Sequence, residues 1–248
     1  DIDQPLIESM AAFAASAVEN ARLYSQAQEE IAERVLAEEA KHKALVEALP
    51  TIKDHEVARR IGHYVSELVN DGATLQIGFG SLPYAIIKYL DGKKDLGIHT
   101  QLITDGLLPL FEKNVITNKK KTLLPGRVVS SLCMGSEKIY RYVDNNPAFY
   151  FRSSEFVNDP TVIARNDNLV SISSVLEIDL TGQVCSDSMG YLFYSGIGDQ
   201  VDFLRGSSMS KGGFSIIALP STARNGSVSR IVSHLSEGAG VATTRGDV

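Results

Sequence analysis

The stretch ARNDNLVSISSVLEIDLTGQVCSDSMGYLFYSGIGDQVDF (Ala164–Phe203), followed by SKGGFSIIALPSTARNGSVSRIV (Ser210–Val232), decides how this chain is read. Within it, LVSISSVLEIDL and FSIIALP are runs of β-branched and apolar residues bounded by Asn, Asp, Gly and Pro, which predicts strands. The pattern extends upstream. ATLQIGFG (Ala73–Gly80) predicts a short buried strand ending in glycines, and LGIHTQLI (Leu96–Ile103) and AFYFRS (Ala148–Ser153) predict two more. Helical segments lie between them. EVARRIGHYVSELVNDG spaces Val57, Ile61, Tyr64, Val65, Leu68 and Val69 on one helical face and closes on Asn-Asp-Gly. SLPYAIIKYLDG has Ser81 as a plausible N-cap and Pro83 in its first turn, and GLLPLFEKNVI supplies a further helix. Strands alternating with helices predict an α/β domain with a largely parallel sheet flanked by helices.

Residues 1–50 have a different texture. They contain no glycine, hold proline only at Pro5 and Pro50, and are rich in Ala, Glu, Gln, Arg and Leu. One long helix from about Pro5 to Leu49 is predicted, with Pro5 suited to a first turn and Pro50 ending the helix before it. A heptad read from Met10 runs through Ala17, Tyr24, Ile31, Glu38 and Leu45, with Phe13, Asn20, Ala27, Arg34, Lys41 and Ala48 at the second seam position. Charges spoil its second half, so the coiled-coil pattern is weak. The predicted organisation is therefore a helix or linker over 1–50 and an α/β domain over 51–248. The chain opens without Met, and it is read as a piece of a longer parent chain cut at both ends.

Composition sets further bounds. The 248 residues carry a net charge of −6, and residues 1–50 alone hold ten acids and four bases, so the excess negative charge lies there. No basic patch points to nucleic acid. No run of about 18 apolar residues predicts membrane insertion, and the acidic, polar start has no signal-peptide pattern. A cytoplasmic location is expected. Cys133 and Cys185 sit in apolar contexts, where buried free thiols are expected. The five histidines (42, 55, 63, 99 and 234) show no metal-ligand spacing, so no metal is predicted.

The quoted stretch, together with LQIGFGSLPYAI and LGIHTQLITDGLL in the same order, resembles the acetyl-CoA hydrolase/transferase family, which includes 4-hydroxybutyrate and butyrate:acetate CoA-transferases. The similarity runs over roughly residues 55–248. It implies a domain that handles coenzyme A thioesters and small carboxylates as substrates or ligands, with no permanently bound cofactor; a homodimer is expected separately, because the N-terminal helix needs a surface on which to bury Phe13, Tyr24 and Ile31. The stretch FAASAVENARLYSQAQEEIAERVLAEEA separately resembles the end of a GAF sensor domain running into a signalling helix; a plain surface or dimerisation helix explains it equally well.

The family resemblance also assigns residues. It implies that the turn Gly78-Phe79-Gly80 and Pro83 line the acyl-CoA site; by themselves these glycines fit a tight strand–helix turn as readily. Gln101 stands in His99-Thr100-Gln101-Leu102, where the family carries a nucleophilic glutamate within H-T-E-M. A glutamate there attacks the thioester carbonyl to give an acyl-glutamyl anhydride, which CoA thiolate converts to a glutamyl thioester. A glutamine amide has no anionic oxygen for that step, yet can fill the same space and hydrogen-bond. Gly196-Ile197-Gly198-Asp199-Gln200-Val201-Asp202-Phe203 stands where the family has G-x-G-G-Q-x-D-F, so a motif glycine is Asp199. In the family these glycines, Gly198 among them here, supply N–H groups near the developing oxyanion, and one lost donor costs roughly 10² to 10³ in rate. Two altered positions favour natural loss of catalysis over a single designed change. Asn158, in SEFVNDP, is implied to orient the active-site loop, though it equally suits an Asx turn. Gln200, Lys211, Gly212, Gly213, Pro220 and Ser221 are implied to help hold CoA. Two readings follow: a catalytically impaired CoA-transferase domain, or a degenerate acyl-CoA-sensing or structural module coupled to a signalling helix.

Overall fold

The computed structural model describes residues 19–33, 55–196, 198–223, 226–243 and 246. The chain divides into two units, Asp1–Leu49 and Pro50–Val248. In the first, residues 19–33 form an α-helix (α1), while the predicted ends of that helix, and most of its heptad positions, lie outside the described residues. An Arg22–Glu19 pair at 2.8 Å brackets its first turn, and Tyr24 and Ile31 stand exposed.

The second unit is built on a six-stranded sheet. Its strands are β1 (Thr74–Ile77), β2 (Gly97–Ile103), β3 (Val128–Cys133), β4 (Phe149–Phe151), β5 (Leu169–Ser174) and β10 (Phe214–Ala218), in spatial order β10-β5-β1-β2-β3-β4. Every pairing is parallel. Parallel strands need covered crossovers. After α2 (His55–Leu68), which precedes β1, helices supply them: α3 (Ser81–Ile87), α4 (Leu108–Glu112), α5 (Glu137–Val143), α6 (Ser154–Val157), α7 (Pro160–Ile163) and α8 (Gln200–Met209). Both sheet faces are therefore dry. Leu75, Ile86, Leu90, Ile98, Ile103 and Leu110 belong to one core. Val129, Val157, Ile163, Leu169 and Phe203 form the other. β1 is buried at all four positions, so Thr74 and Gln76 are enclosed with Leu75 and Ile77 even though TLQI alternates polar and apolar residues.

The chain crosses the sheet once. β1 to β4 are laid down as neighbours in sequence order. α6 and α7 then carry the chain back, and β5 pairs with the free edge of β1. The order reverses between β1 and β5, and such a switch point opens a crevice at the carboxyl ends of the strands.

Two departures from the sequence expectation matter. LVSISSVLEIDL is not one strand. β5 stops at Ser174, and Glu177–Asp179 (β6) leaves the sheet to pair with β7 (Val184–Cys185) and with β13 (Ile231–Val232). β3 was not expected from sequence, because VVSSLC mixes apolar residues with serines that pair inside the sheet. A small hairpin, β8 (Ser188–Met189) and β9 (Leu192–Phe193), and a ribbon, β11 (Thr222–Ala223) with β12 (Val228–Ser229), complete the unit.

Candidate active site

The switch point holds a cavity of about 770 Å³, within the usual size of a small-molecule site. Its floor is the carboxyl end of β1, β5 and β10: Gly80 and Ser81, Ser174 and Val175, Ala218 and Pro220. Val57 and Ala58 of α2 close one side, and Ser186, Tyr194, Ser195, Ser221, Thr222 and Arg230 the other. The walls combine aliphatic surface with hydroxyls, and Arg230 is the one charged side chain among the described lining residues.

The two glycines of the first turn act differently. The Gly78 N–H donates to Ile172 O at 2.7 Å, and a Cβ on Gly78 would lie 2.9 Å from that oxygen. Gly78 thus lets β1 and β5 approach closely, and its N–H is already used. Gly80 has φ +131°, a region that disfavours side chains, and it lines the cavity. Pro83 is buried in α3, beneath the turn.

Of the residues implied for CoA, Gly80, Pro220 and Ser221 are brought together here. Gln200 stands one hydrogen bond behind the wall: its Oε1 accepts from Ser186 Oγ at 2.5 Å, while its Nε2 is buried without a partner among the described residues. Lys211, Gly212 and Gly213 are elsewhere. They immediately precede β10, and Lys211 O accepts from Asn168 N, just before β5, so they sit at the amino ends of the parallel strands, opposite the cavity.

Gln101 lies inside β2, half-buried, on the same strand face as His99, and does not line the cavity. Its backbone oxygen accepts from Ser130 Oγ at 2.9 Å. Its neighbourhood is set by His99, which is fully buried. The His99 Nε2–H donates to Val157 O at 2.8 Å, and Nδ1 accepts from the Asn166 amide at 3.2 Å. A carbonyl can only accept, which fixes the neutral tautomer. Burial, aided by the nearby Lys121 charge, lowers the His99 pKa to about 4. The residue after Val157 is Asn158, whose Oδ1 is buried without a partner among the described residues. Phe203 meets the His99 ring edge-on at 6.1 Å. Phe203 lies one turn along α8 from Asp199, the N-cap, and its N–H donates to Asp199 O. Burial, with Asp202 nearby, raises the Asp199 carboxyl above the usual range. Gly198 has φ +67° and open space around it. The structure thus draws the segments bearing Gln101, Asn158, Gly198 and Asp199 toward one face of the sheet through His99 and Phe203.

Sequence reasoning missed Ser174, Ser186, Tyr194 and Arg230 as cavity residues. Ser174 could have been found as the last residue of a strand that ends at a switch point; Arg230 has no comparable signal.

Comparison with known proteins agrees with this architecture. Residues 135–248 match the family model described as acetyl-CoA hydrolase/transferase C-terminal domain. The chain is 50% identical over 210 residues to a 4-hydroxybutyrate coenzyme A transferase of Clostridium kluyveri, covering 85% of this chain and 48% of that protein. The crystal structure of RipA from Yersinia pestis superposes with a TM-score of 0.73 at 45% identity, over 80% of this chain and 44% of that one. A 4-hydroxybutyrate CoA-transferase from Porphyromonas gingivalis gives 0.67 at 46% identity, over 77% and 45%. The chain spans about half the length of the curated relatives it matches. Through its α/β unit, the chain belongs to the acetyl-CoA hydrolase/transferase family.

Proposed function

We propose that the 51–248 domain binds acyl-CoA thioesters at the switch-point cavity and, as written, does not turn them over. The observation that carries the binding half is the meeting of Gly80, Pro220 and Ser221 around one cavity of suitable size. The relatives' names attach CoA transfer to 4-hydroxybutyrate, succinyl-CoA with cyclohexane-1-carboxylate or acetate, and butyrate with acetyl-CoA, so small carboxylates are the acceptor class expected of the parent protein. The homodimer, the cytoplasmic setting and additional domains of a longer parent belong to the same reading.

The impairment follows from chemistry. In a transferase of this type a carboxylate oxygen attacks the thioester carbon, the C–S bond breaks and thiolate leaves. Gln101 offers a neutral amide instead, a poor nucleophile whose carbonyl oxygen carries no full charge. Asp199 adds a half-buried carboxyl with raised pKa at the N-cap of α8, where an anion next to a developing oxyanion is repulsive. Asn158, whose buried oxygen has no partner among the described residues, is the positioning group of the loop beside β2.

The test pairs binding with turnover. Calorimetry should show saturable acetyl-CoA binding, while acetyl transfer to butyrate stays at background, with no glutamyl thioester trapped by borohydride. Gln101→Glu alone should leave turnover low, and Gln101→Glu with Asp199→Gly should raise it once the rest of the parent protein is supplied, because nucleophile and oxyanion donors act as a unit. Robust turnover by the unmodified chain overturns the impairment. A second reading, an acyl-CoA sensor coupled through the N-terminal helix, is favoured by the exposed Tyr24 and Ile31 of α1, which offer apolar surface to a partner helix.

A further inference from the structure

The parallel register of β2, β3 and β4 sets three polar side chains in one row. Thr100 pairs with Ser130 and Leu102 with Leu132, so Gln101 falls opposite Ser131. Ser130 pairs with Phe151, and the Arg152 N–H donates to Ser130 O at 2.9 Å, so Arg152 falls opposite Ser131 from the other side. Strand alternation puts all three on the face of His99, Val129 and Tyr150, one level nearer the carboxyl ends. Neighbouring strands lie about 4.8 Å apart, so the row is about 10 Å long. It stands on the other side of β1 from β5 and β10, and none of its members lines the switch-point cavity.

Two members of the row have unused bonding capacity. The Arg152 guanidinium lies over the Tyr150 ring at 5.4 Å and the Phe156 ring at 5.0 Å, and its Nη1–H donates to Tyr150 Oη at 2.9 Å. Two rings and a hydroxyl fix its direction, so little side-chain freedom remains to be lost when a ligand arrives. It makes no ion pair with a described residue. Stacking covers the faces of a guanidinium and leaves the donors in its plane free to meet an oxyanion in two hydrogen bonds. Beside it, the Ser131 Oγ is buried with no partner among the described residues, which is costly for a hydroxyl. Ser131 as a whole is half-buried, so a change of rotamer separates that hydroxyl from the surface.

We propose that this row is an anion-binding site separate from the cavity, in which Arg152 supplies the charge and Ser131 a second hydrogen bond to the same oxyanion. The ligand chemistry is an oxyanion with two oxygens to offer one fork, carried by a small free carboxylate or by a phosphate. The inference goes beyond the reading of the cavity as a CoA-thioester site and does not depend on it. No bond is made or broken; the anion exchanges water for the guanidinium and the hydroxyl.

The experiment titrates the ¹⁵N-labelled 248-residue chain with sodium butyrate in one series and inorganic phosphate in the other, at constant ionic strength. The Arg152 Nε–H and Ser131 backbone N–H resonances are followed by NMR. The expected result is a saturable shift of both, with a dissociation constant on the order of 1 mM for at least one anion, while other arginine Nε–H resonances drift without saturating. Arg152→Gln should weaken binding about tenfold or more, read at the Ser131 amide, and Arg152→Lys should recover part of it, because the charge returns without the fork. Ser131→Ala should weaken it about two- to tenfold, the worth of one neutral hydrogen bond. Thermal melts of the variants separate loss of fold from loss of binding. Tighter binding of butyrate identifies the source as a carboxylate and tighter binding of phosphate as a phosphate; either sustains the site. If neither anion saturates, or if Arg152→Gln or Ser131→Ala leaves the affinity unchanged, the inference is overturned, and Arg152 is then a solvated surface arginine.

Discussion

The cavity and the His99 face of the sheet are two ways of building a site from the same strands. The cavity is edged by turns and by two-residue strands, and its lining comes from segments as far apart in sequence as Val57 and Arg230. The His99 face is packed: His99, Val157, Ile163, Leu169 and Phe203 are all fully buried. Residues on the first can change shape with a ligand at little structural cost. Residues on the second cannot change without disturbing the core. The position expected of a nucleophile, Gln101, lies on the packed side, two residues from His99, and not on the cavity.

The sharpest test of that contrast is truncation on each side. Phe203→Ala should lower unfolding free energy by about 3–5 kcal/mol in urea, from lost apolar burial and a residual cavity. Ser186→Ala, on the cavity wall, should cost no more than about 1 kcal/mol, the worth of its bond to Gln200. Similar losses for the two variants would erase the distinction.

Acid should attack the packed face first. The His99 pKa is depressed to about 4 in the folded chain, whereas the unfolded imidazole titrates near 6.5. The unfolded state therefore binds the extra proton between those values. Stability from this group is intact above about pH 6.5, falls as pH drops toward 4, and changes no further below it. The loss is on the order of 3 kcal/mol. Urea midpoints from pH 7 to 4 measure it, and His99→Gln should flatten the slope over that window, whatever its effect on absolute stability.

Lys121 gives an effect at least as large at the other end of the scale, because its pKa moves further from its ordinary value than that of His99. It is buried, donates to Ile98 O and Arg127 O at 2.8 Å each, and burial lowers its pKa to about 7. The unfolded lysine holds its proton to about 10.5. The native chain sheds this proton first, so stability should rise as pH climbs from about 7 toward 10.5. Lys121→Met should remove that rise, and an unchanged slope would show that the buried ammonium is solvated by other means.

Gly80→Ala probes the cavity edge. At φ +131° a Cβ is strained, at roughly 1–3 kcal/mol. Its nearest neighbour would be Ser174 Oγ at 3.4 Å, which is ordinary contact. The smallest expected structural effect is from Gln101→Glu, half-exposed, within about 0.5 kcal/mol.

How much of this was readable in the sequence follows from distance along the chain. TLQI and GIHTQLI are short, carry β-branched and aliphatic residues and are bounded by glycine or turn residues, so strands at β1 and β2 were evident. The break after Ser174 was not, because LVSISSVLEIDL is uniform in composition and only the demand for a partner outside the sheet, met by β13 fifty residues later, decides where it leaves. Lys119-Lys120-Lys121 reads as a solvated charge run, yet the third lysine is buried, held by carbonyls that the run itself does not reveal. The cavity was half visible. Gly80, Pro220 and Ser221 follow strands and could be placed at strand ends, whereas Arg230 sits between strands too short to show any period.

The return of the chain across the sheet has a further cost, measured in time. The Ser171 Oγ–Gln76 Oε1 bond that joins β5 to β1 spans 95 residues. A ribosome adding about 5–20 residues per second takes roughly 5–20 s to cover that distance. For that interval β1 to β4 can associate, while the inner edge of β1 waits open with its N–H and C=O groups unpaired. Such an edge is a template for any passing strand. The newborn domain is therefore most vulnerable to aggregation after its first half has formed, and its yield in cells should depend on how quickly Leu169–Ser174 leaves the exit tunnel.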